Sequence, residues 1–340
     1  MAKPILALVG SDSLLGREIR DIAATSAPEL SLRLLAADDE RPGTLTRQGD
    51  EPTMVAELDP HSFDDASAVF LAGSAASAKK ALDILAARPI PVIDLTSATE
   101  DDPHARLRAP MVETDSTAPP GASEATLHVI AHPAAIALAL FLRRLHAHEP
   151  IRRAVVEILA PASEHGTAGV EELQQQTISL LSFKNMPRAI FDTQSAFNLL
   201  ARYGEEAPTP LEDAELRIER HLATLLALPG EEDEDLAPPM PSLRLIQAPV
   251  FHGYSFSAWV EFENNPGTEA IESALLAGPI EVRGEEFEPP TNVGQAGQGG
   301  IAVGAITPDR NHPDAVWFWI VADNLRLTAE NAVAVARELL

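Results

Sequence analysis

Apolar residues fall in short runs punctuated by glycine, proline and polar turns. Pro4–Val9 forms a strand-like run, Gly10–Gly16 a turn, and Arg17–Ala24 a helix. Leu30–Ala36 and Ala68–Leu71 read as further strands, Ala75–Leu85 as an Ala-rich helix, and Pro91–Leu95 as a short β segment. Strands alternating with helices predict a doubly wound α/β domain, a Rossmann-like parallel sheet flanked by helices.

The pattern then changes. Ile136–His146 predicts a helix with an apolar face, and Ile151–Leu159 a strand that opens a second domain. Gly169–Leu181 has helical composition, and Pro208–Leu228 predicts a helix started at Thr209-Pro210 and stopped before Pro229-Gly230. Glu231–Pro241 is acidic and proline-rich and reads as an exposed loop. Further β segments fall at Leu243–Ala248, Phe256–Phe262, Ile280–Val282, Ala302–Ile306 and Ala315–Val321, before a helical end at Ala329–Leu340. This half predicts an α+β domain with a mixed or antiparallel sheet.

A chain of 340 residues is long enough for two such domains. Its 51 acidic residues outnumber 25 basic ones, for a formal charge of -26. With no basic run to offset that charge, neither a nucleic-acid nor an anionic-membrane partner is predicted. No segment supplies the roughly 20 apolar residues of a membrane helix. The N-terminal run lacks the order of a secretory signal, so the expectation is a cytoplasmic protein.

The chain contains no cysteine, which excludes disulfides, thiolate metal sites and a cysteine nucleophile. Glu164-His165 and His146-Ala147-His148 are too sparse to predict a metal, and no His-Glu-x-x-His motif is present. Ser11, Ser13 and Ser255 lack a nucleophile-elbow setting.

Val9–Glu18 sits where the first strand meets the first helix. Gly10 permits a tight turn, Gly16 close packing of helix on sheet, and amides at the helix start suit a pyrophosphate. The middle glycine of a dinucleotide fingerprint is absent, with Ser13 in that region, so on spacing alone an inherited structural turn is favoured over a nucleotide site. Asp38, Asp39 and Glu40 follow the second strand. Carboxylates there can pair with ribose hydroxyls and repel a 2′-phosphate, which would favour NAD over its 2′-phosphorylated form, although a solvated acidic turn is the plainer reading.

Taken in order, several segments resemble the aspartate-semialdehyde dehydrogenase family across nearly the whole chain. They are Val9–Glu18, Ala72-Gly73-Ser74, Val92–Ala98, Ala131–Ala135, Gly169–Leu173, Ala196-Phe197-Asn198, Pro249–Ser255 and Val321–Arg326. The resemblance implies a nucleotide-binding-like domain at 1–131, a catalytic-like and dimerisation domain at 132–322, and a C-terminal helix at 323–340 that packs back on the first domain. It implies a homodimer, and NAD as the candidate cofactor facing Gly10, Ser11, Ser13, Leu14, Leu15, Gly16, Ala72, Gly73 and Asn324.

Enzymes of that family use a cysteine thiolate to attack the substrate carbonyl, within an Asn-Pro-Asn-Cys motif that falls here on His132-Pro133-Ala134-Ala135. A methyl group has no lone pair, so Ala135 removes the covalent step. The resemblance also places Ala160 at the orienting glutamine, Gln247 at an arginine, Tyr254 at the proton-transferring histidine and Glu100 at a substrate-binding arginine. Arg217, near Glu215, is the retained basic position, and His132 and His252 lie beside the altered pocket. Three functions fit: a non-catalytic homologue binding a nucleotide or metabolite, a non-covalent NAD-dependent oxidoreductase built on Tyr254, His252 and Gln247, and a dimeric interaction protein with a vestigial pocket.

Overall fold

Two units make up the chain in the computed structural model, which describes residues 3–37, 40–48, 51–86, 88–113, 126–229 and 237–340. The first unit is Met1–Ala131 with Thr328–Leu340, and the second is His132–Leu327.

The first unit runs β1 (Ile5–Val9), α1 (Leu14–Thr25), β2 (Ser31–Leu35), β3 (Leu45–Gln48), β4 (Glu51–Met54), β5 (Ala66–Leu71), α2 (Ala75–Leu85), β6 (Val92–Asp94), β7 (Arg106–Arg108) and β8 (Leu127–Ile130). Six strands form a parallel sheet in the order β2-β1-β5-β6-β8-β7, while β3 and β4 pair as a separate hairpin. β1 has β2 on one side and β5 on the other, so the chain reverses its direction of travel there. The carboxyl ends of those strands therefore flank a crevice, where doubly wound sheets place ligands. Val9, Leu35, Val69 and Leu71 of the sheet pack with Ala78, Ala81 and Leu85 of α2 in the core. α1 starts at Leu14 rather than Arg17 because the Ser13 hydroxyl caps it, accepting the Gly16 N–H at 2.9 Å.

The second unit continues with α3 (Pro133–His148), β9 (Ile151–Ala160), a 3-10 turn (Ala162–His165), α4 (Gly166–Leu181), α5 (Leu211–Leu226), β10 (Ser242–Gln247), β11 (Tyr254–Phe262), α6 (Thr268–Leu275), β12 (Ile280–Arg283), the single turn α7 (Asn292–Gln295), β13 (Ile301–Pro308), β14 (Ala315–Ala322) and the start of α8 (Asn324–Glu338). Its sheet is mixed, in the order β10-β9-β11-β14-β13-β12, with β10 parallel to β9 and β12 parallel to β13. α3 is buried on every side from Ala134 to Leu142, where a single apolar face was expected. It is sandwiched between the sheet, with Phe141 edge-on to Phe318 at 4.9 Å, and helices α5 and α6. α8 begins five residues before Ala329 because Asp323 caps it, accepting the N–H groups of Leu325 and Arg326 at 2.9 and 3.1 Å. Most of the acidic loop expected at Glu231–Pro241 lies outside the described residues.

Candidate functional site

In the second unit, a buried polar cluster gathers where α3, the 3-10 turn and β11 begin. His132 is the N-cap of α3, and its Nδ1 accepts the Ala134 N–H at 3.2 Å. Its Nε2 donates to Glu164 Oε1 at 2.9 Å. Tyr254, fully buried, donates its hydroxyl to the other oxygen of Glu164 at 2.6 Å. The His132 backbone N–H donates to His221 Nδ1 at 2.9 Å. Arg217 lies one turn before His221 on α5, so the two share a face of that helix.

These contacts fix the charges. Burial pushes the Glu164 carboxyl up, but His132 and the two hydrogen bonds outweigh it and hold the group at about 2. Burial pushes the Tyr254 phenol well above its ordinary range, and the Glu164 carboxylate pushes it the same way. Tyr254 is therefore a donor locked onto a carboxylate and cannot serve as a base near neutrality.

Ala135 is the third residue of α3 and wholly buried, beside this cluster in sequence and closed to solvent. Ala160, also fully buried, ends β9, and its carbonyl accepts the Gln247 side-chain amide at 3.0 Å. That amide donates to the Ala248 carbonyl as well, at 2.9 Å, which turns Gln247 Oε1 toward the Tyr203 hydroxyl at 2.7 Å. Tyr203 spends its only proton there, so His165 Nε2, 2.9 Å away, donates to the Tyr203 oxygen. Burial pushes His165 below its ordinary value against the pull of Glu164 and Glu172. Every proton in this chain of contacts has one destination, which is the signature of a lock rather than of a relay.

The remaining expected positions are dispersed. Glu215 accepts the N–H of Leu245 at 2.5 Å, tying α5 to the edge strand β10. His252 Nδ1 is buried with no hydrogen-bond partner among the described residues, and neither Tyr254 nor Gln247 bonds to it. The pocket expected from Tyr254, His252 and Gln247 thus does not assemble through hydrogen bonds. Asn324 joins this unit: its Oδ1 accepts the Gly253 N–H at 2.9 Å and its amide donates to Ser163 at 3.1 Å. Glu100 lies in the first unit, in the turn after β6. That turn is organised by buried Asp94, which accepts four hydrogen bonds from Thr96 and Thr99.

The glycine turn of the first unit shows why its residues are what they are. Gly10 has φ +86°, and a Cβ there would meet the Gly73 nitrogen at 2.3 Å; one at Gly16 would meet the Gly10 carbonyl oxygen at 2.0 Å. Ser13, besides capping α1, donates its hydroxyl to the Ala72 carbonyl at 2.7 Å. Leu14 and Leu15 form the half-buried first turn of α1, and Ser11 is fully buried. Glu40 reaches into the turn: Oε1 accepts the Asp12 N–H at 3.0 Å and Oε2 the Ala37 N–H at 3.1 Å. Burial raises its carboxyl, opposed by the amides of Ala37, Asp12 and Ser13. As arranged, the Asp12 amide is closed to a pyrophosphate, because it already holds a carboxylate. Asp38 and Asp39 lie outside the described residues. Among the described residues no group of three or more His, Asp or Glu side chains could hold a metal, and no helix is long and apolar enough to cross a membrane.

Known proteins match both units. Residues 142–327 match the family described as semialdehyde dehydrogenase, dimerisation domain. The chain is 26% identical over 346 residues to an aspartate-semialdehyde dehydrogenase of Rickettsia bellii, covering 98% of this chain and 97% of that one. It is 31% identical over 348 residues to a USG-1 protein homolog of Pseudomonas aeruginosa, covering 100% and 98%. A solved structure of a probable aspartate-semialdehyde dehydrogenase from Pseudomonas aeruginosa superposes with a TM-score of 0.81 at 28% identity, covering 99% of this chain and 98% of that one. With its parallel-sheet domain, its mixed α+β domain and no cysteine, the chain belongs to the aspartate-semialdehyde dehydrogenase family as a member without the catalytic thiol.

Proposed function

We propose that this protein is a non-catalytic homologue of aspartate-semialdehyde dehydrogenase, a homodimeric scaffold whose former reaction pocket is sealed by its own side chains. The carrying observation is Glu164. Beside the helix start where a nucleophile would stand, Ala135 offers a methyl group, and the nearby donors His132 Nε2 and Tyr254 Oη are both spent on the Glu164 carboxylate. A substrate anion would have to displace a buried, doubly hydrogen-bonded negative charge.

The open face of the second sheet supports the dimer. Val155, Trp259 and Trp317 stand in one cross-strand row, and Trp319 lies in the next row on the same side. α3 packs on the opposite side, through Phe318. Val155 and Trp317 keep 46% and 43% of their surface exposed, an aromatic patch of the kind found at the centre of protein interfaces.

The purified protein, given aspartate semialdehyde, phosphate and NAD or its 2′-phosphate, is expected to show no turnover above background. Ala135→Cys is expected to stay inactive, because Glu164, Tyr254 and Gln247 keep their partners. Robust oxidation by the unmodified protein would overturn the reading.

A further inference from the structure

The turn after β1 is a cradle for an anion. The Asp12 N–H lies one residue before the Ser13 N-cap of α1, at the positive end of that helix's dipole. Here the cradle holds a side chain from elsewhere in the same unit. Glu40 uses both carboxylate oxygens, one on the Asp12 N–H beyond β1 and one on the Ala37 N–H beyond β2, and so bridges the ends of two adjacent strands. The Asp12 amide is held in place from the other side. Arg20 donates to Asp12 Oδ1 at 3.0 Å and to the Ser11 carbonyl at 3.2 Å. Beside it, the Ser13 hydroxyl accepts the Gly16 N–H and donates to the Ala72 carbonyl, across the ends of β1 and β5.

We propose that Glu40 is an internal ligand of the phosphate cradle, and that the pyrophosphate of a dinucleotide binds there only when this carboxylate is gone. A carboxylate and a phosphate present the same kind of oxygen to the same amides, so they compete for them. The Asp12 carboxylate beside them is paired with Arg20, which leaves Glu40 as the anion on these amides. The geometry assigns Glu40 a different task from an acidic residue that reads a ribose. A ribose reader keeps its oxygens for the sugar hydroxyls, whereas both oxygens of Glu40 are bound to backbone amides. The inference concerns binding in the first unit alone and does not rest on the loss of dehydrogenation.

Calorimetric titration of the full chain with NAD, and separately with inorganic pyrophosphate, tests it. Glu40→Ala is expected to bind both at least about tenfold more tightly than the unmodified protein, which corresponds to about 1.4 kcal/mol. Glu40→Gln, which keeps the shape and one acceptor but sheds the charge, is expected to gain less than Glu40→Ala and to serve as the test if the alanine variant unfolds. Two results would overturn the proposal. One is NAD binding by the unmodified protein that weakens in Glu40→Ala, which would make Glu40 a ribose reader. The other is equal behaviour of all three proteins, including no binding by any. A gain in binding without turnover would leave the non-catalytic reading intact, and turnover by the unmodified protein would overturn that reading alone.

Discussion

Replacing Glu164 by glutamine isolates the charge at the centre of the sealed pocket. Glutamine keeps the side chain's size and one acceptor for His132 or Tyr254, but carries no charge. The carboxyl is held at about 2 against an ordinary 4.5, and its side chain is only 17% exposed. At about 1.4 kcal/mol per tenfold change in proton affinity, ionised Glu164 contributes about 3 kcal/mol near neutrality. The sign follows from a depressed folded-state value. The contribution is complete above pH 4.5, falls as the pH drops toward 2, and is gone below that. Urea unfolding at about pH 7 and about pH 3 lies on either side of the isoelectric point near 4.6, where the chain keeps enough charge to stay dispersed. Glu164→Gln is expected to be less stable than the unmodified protein by about 3 kcal/mol at the higher pH and by about half that or less at the lower one. A gap that stays constant between the two conditions would refute an ionised, charge-stabilised Glu164.

Two further perturbations address the rest of the molecule. Gly10→Ala places a methyl group 2.3 Å from a backbone nitrogen at positive φ, and is expected to cost about 3 kcal/mol or more from strain and overpacking combined. Thermal unfolding followed by far-ultraviolet circular dichroism measures it, and an unchanged midpoint would contradict the close approach of Gly10 to Gly73. Trp317→Glu puts a charge at the centre of the open sheet face and is expected to weaken dimerisation by about 2 kcal/mol or more. Light scattering at micromolar concentration should show monomer, and a persistent dimer would move the interface elsewhere.

The fold class was legible because the period of the apolar runs changes with the element. α2 starts and stops where Ala75–Leu85 predicts, since Ser74 caps it on the Ser77 N–H. Elements whose sequences lack a clean period went unseen. β3 is Leu-Thr-Arg-Gln, β7 is a lone leucine between arginines, and β8 has four residues interrupted by a buried histidine. The absence of cysteine exposed the chemical deficit at Ala135 without any coordinates. Glu164 did not show itself, because its meaning comes from partners 32 residues earlier and 90 residues later. His221 left a usable sign in its spacing four residues after Arg217, on a helix whose buried positions recur every three to four residues. Glu40 belonged to an acidic stretch read as facing a ribose, and only the fold could turn its carboxylate back onto the Asp12 amide.

The open sheet face also divides the chain optically. All three tryptophans, 259, 317 and 319, stand on that face, and both tyrosines, 203 and 254, belong to the same unit. The parallel-sheet unit has neither residue type. Intrinsic emission therefore reports association and unfolding of the second unit while the first stays dark. The difference between a fluorescence melt and a dichroism melt of one sample reads out the stability of the silent half, with no label attached.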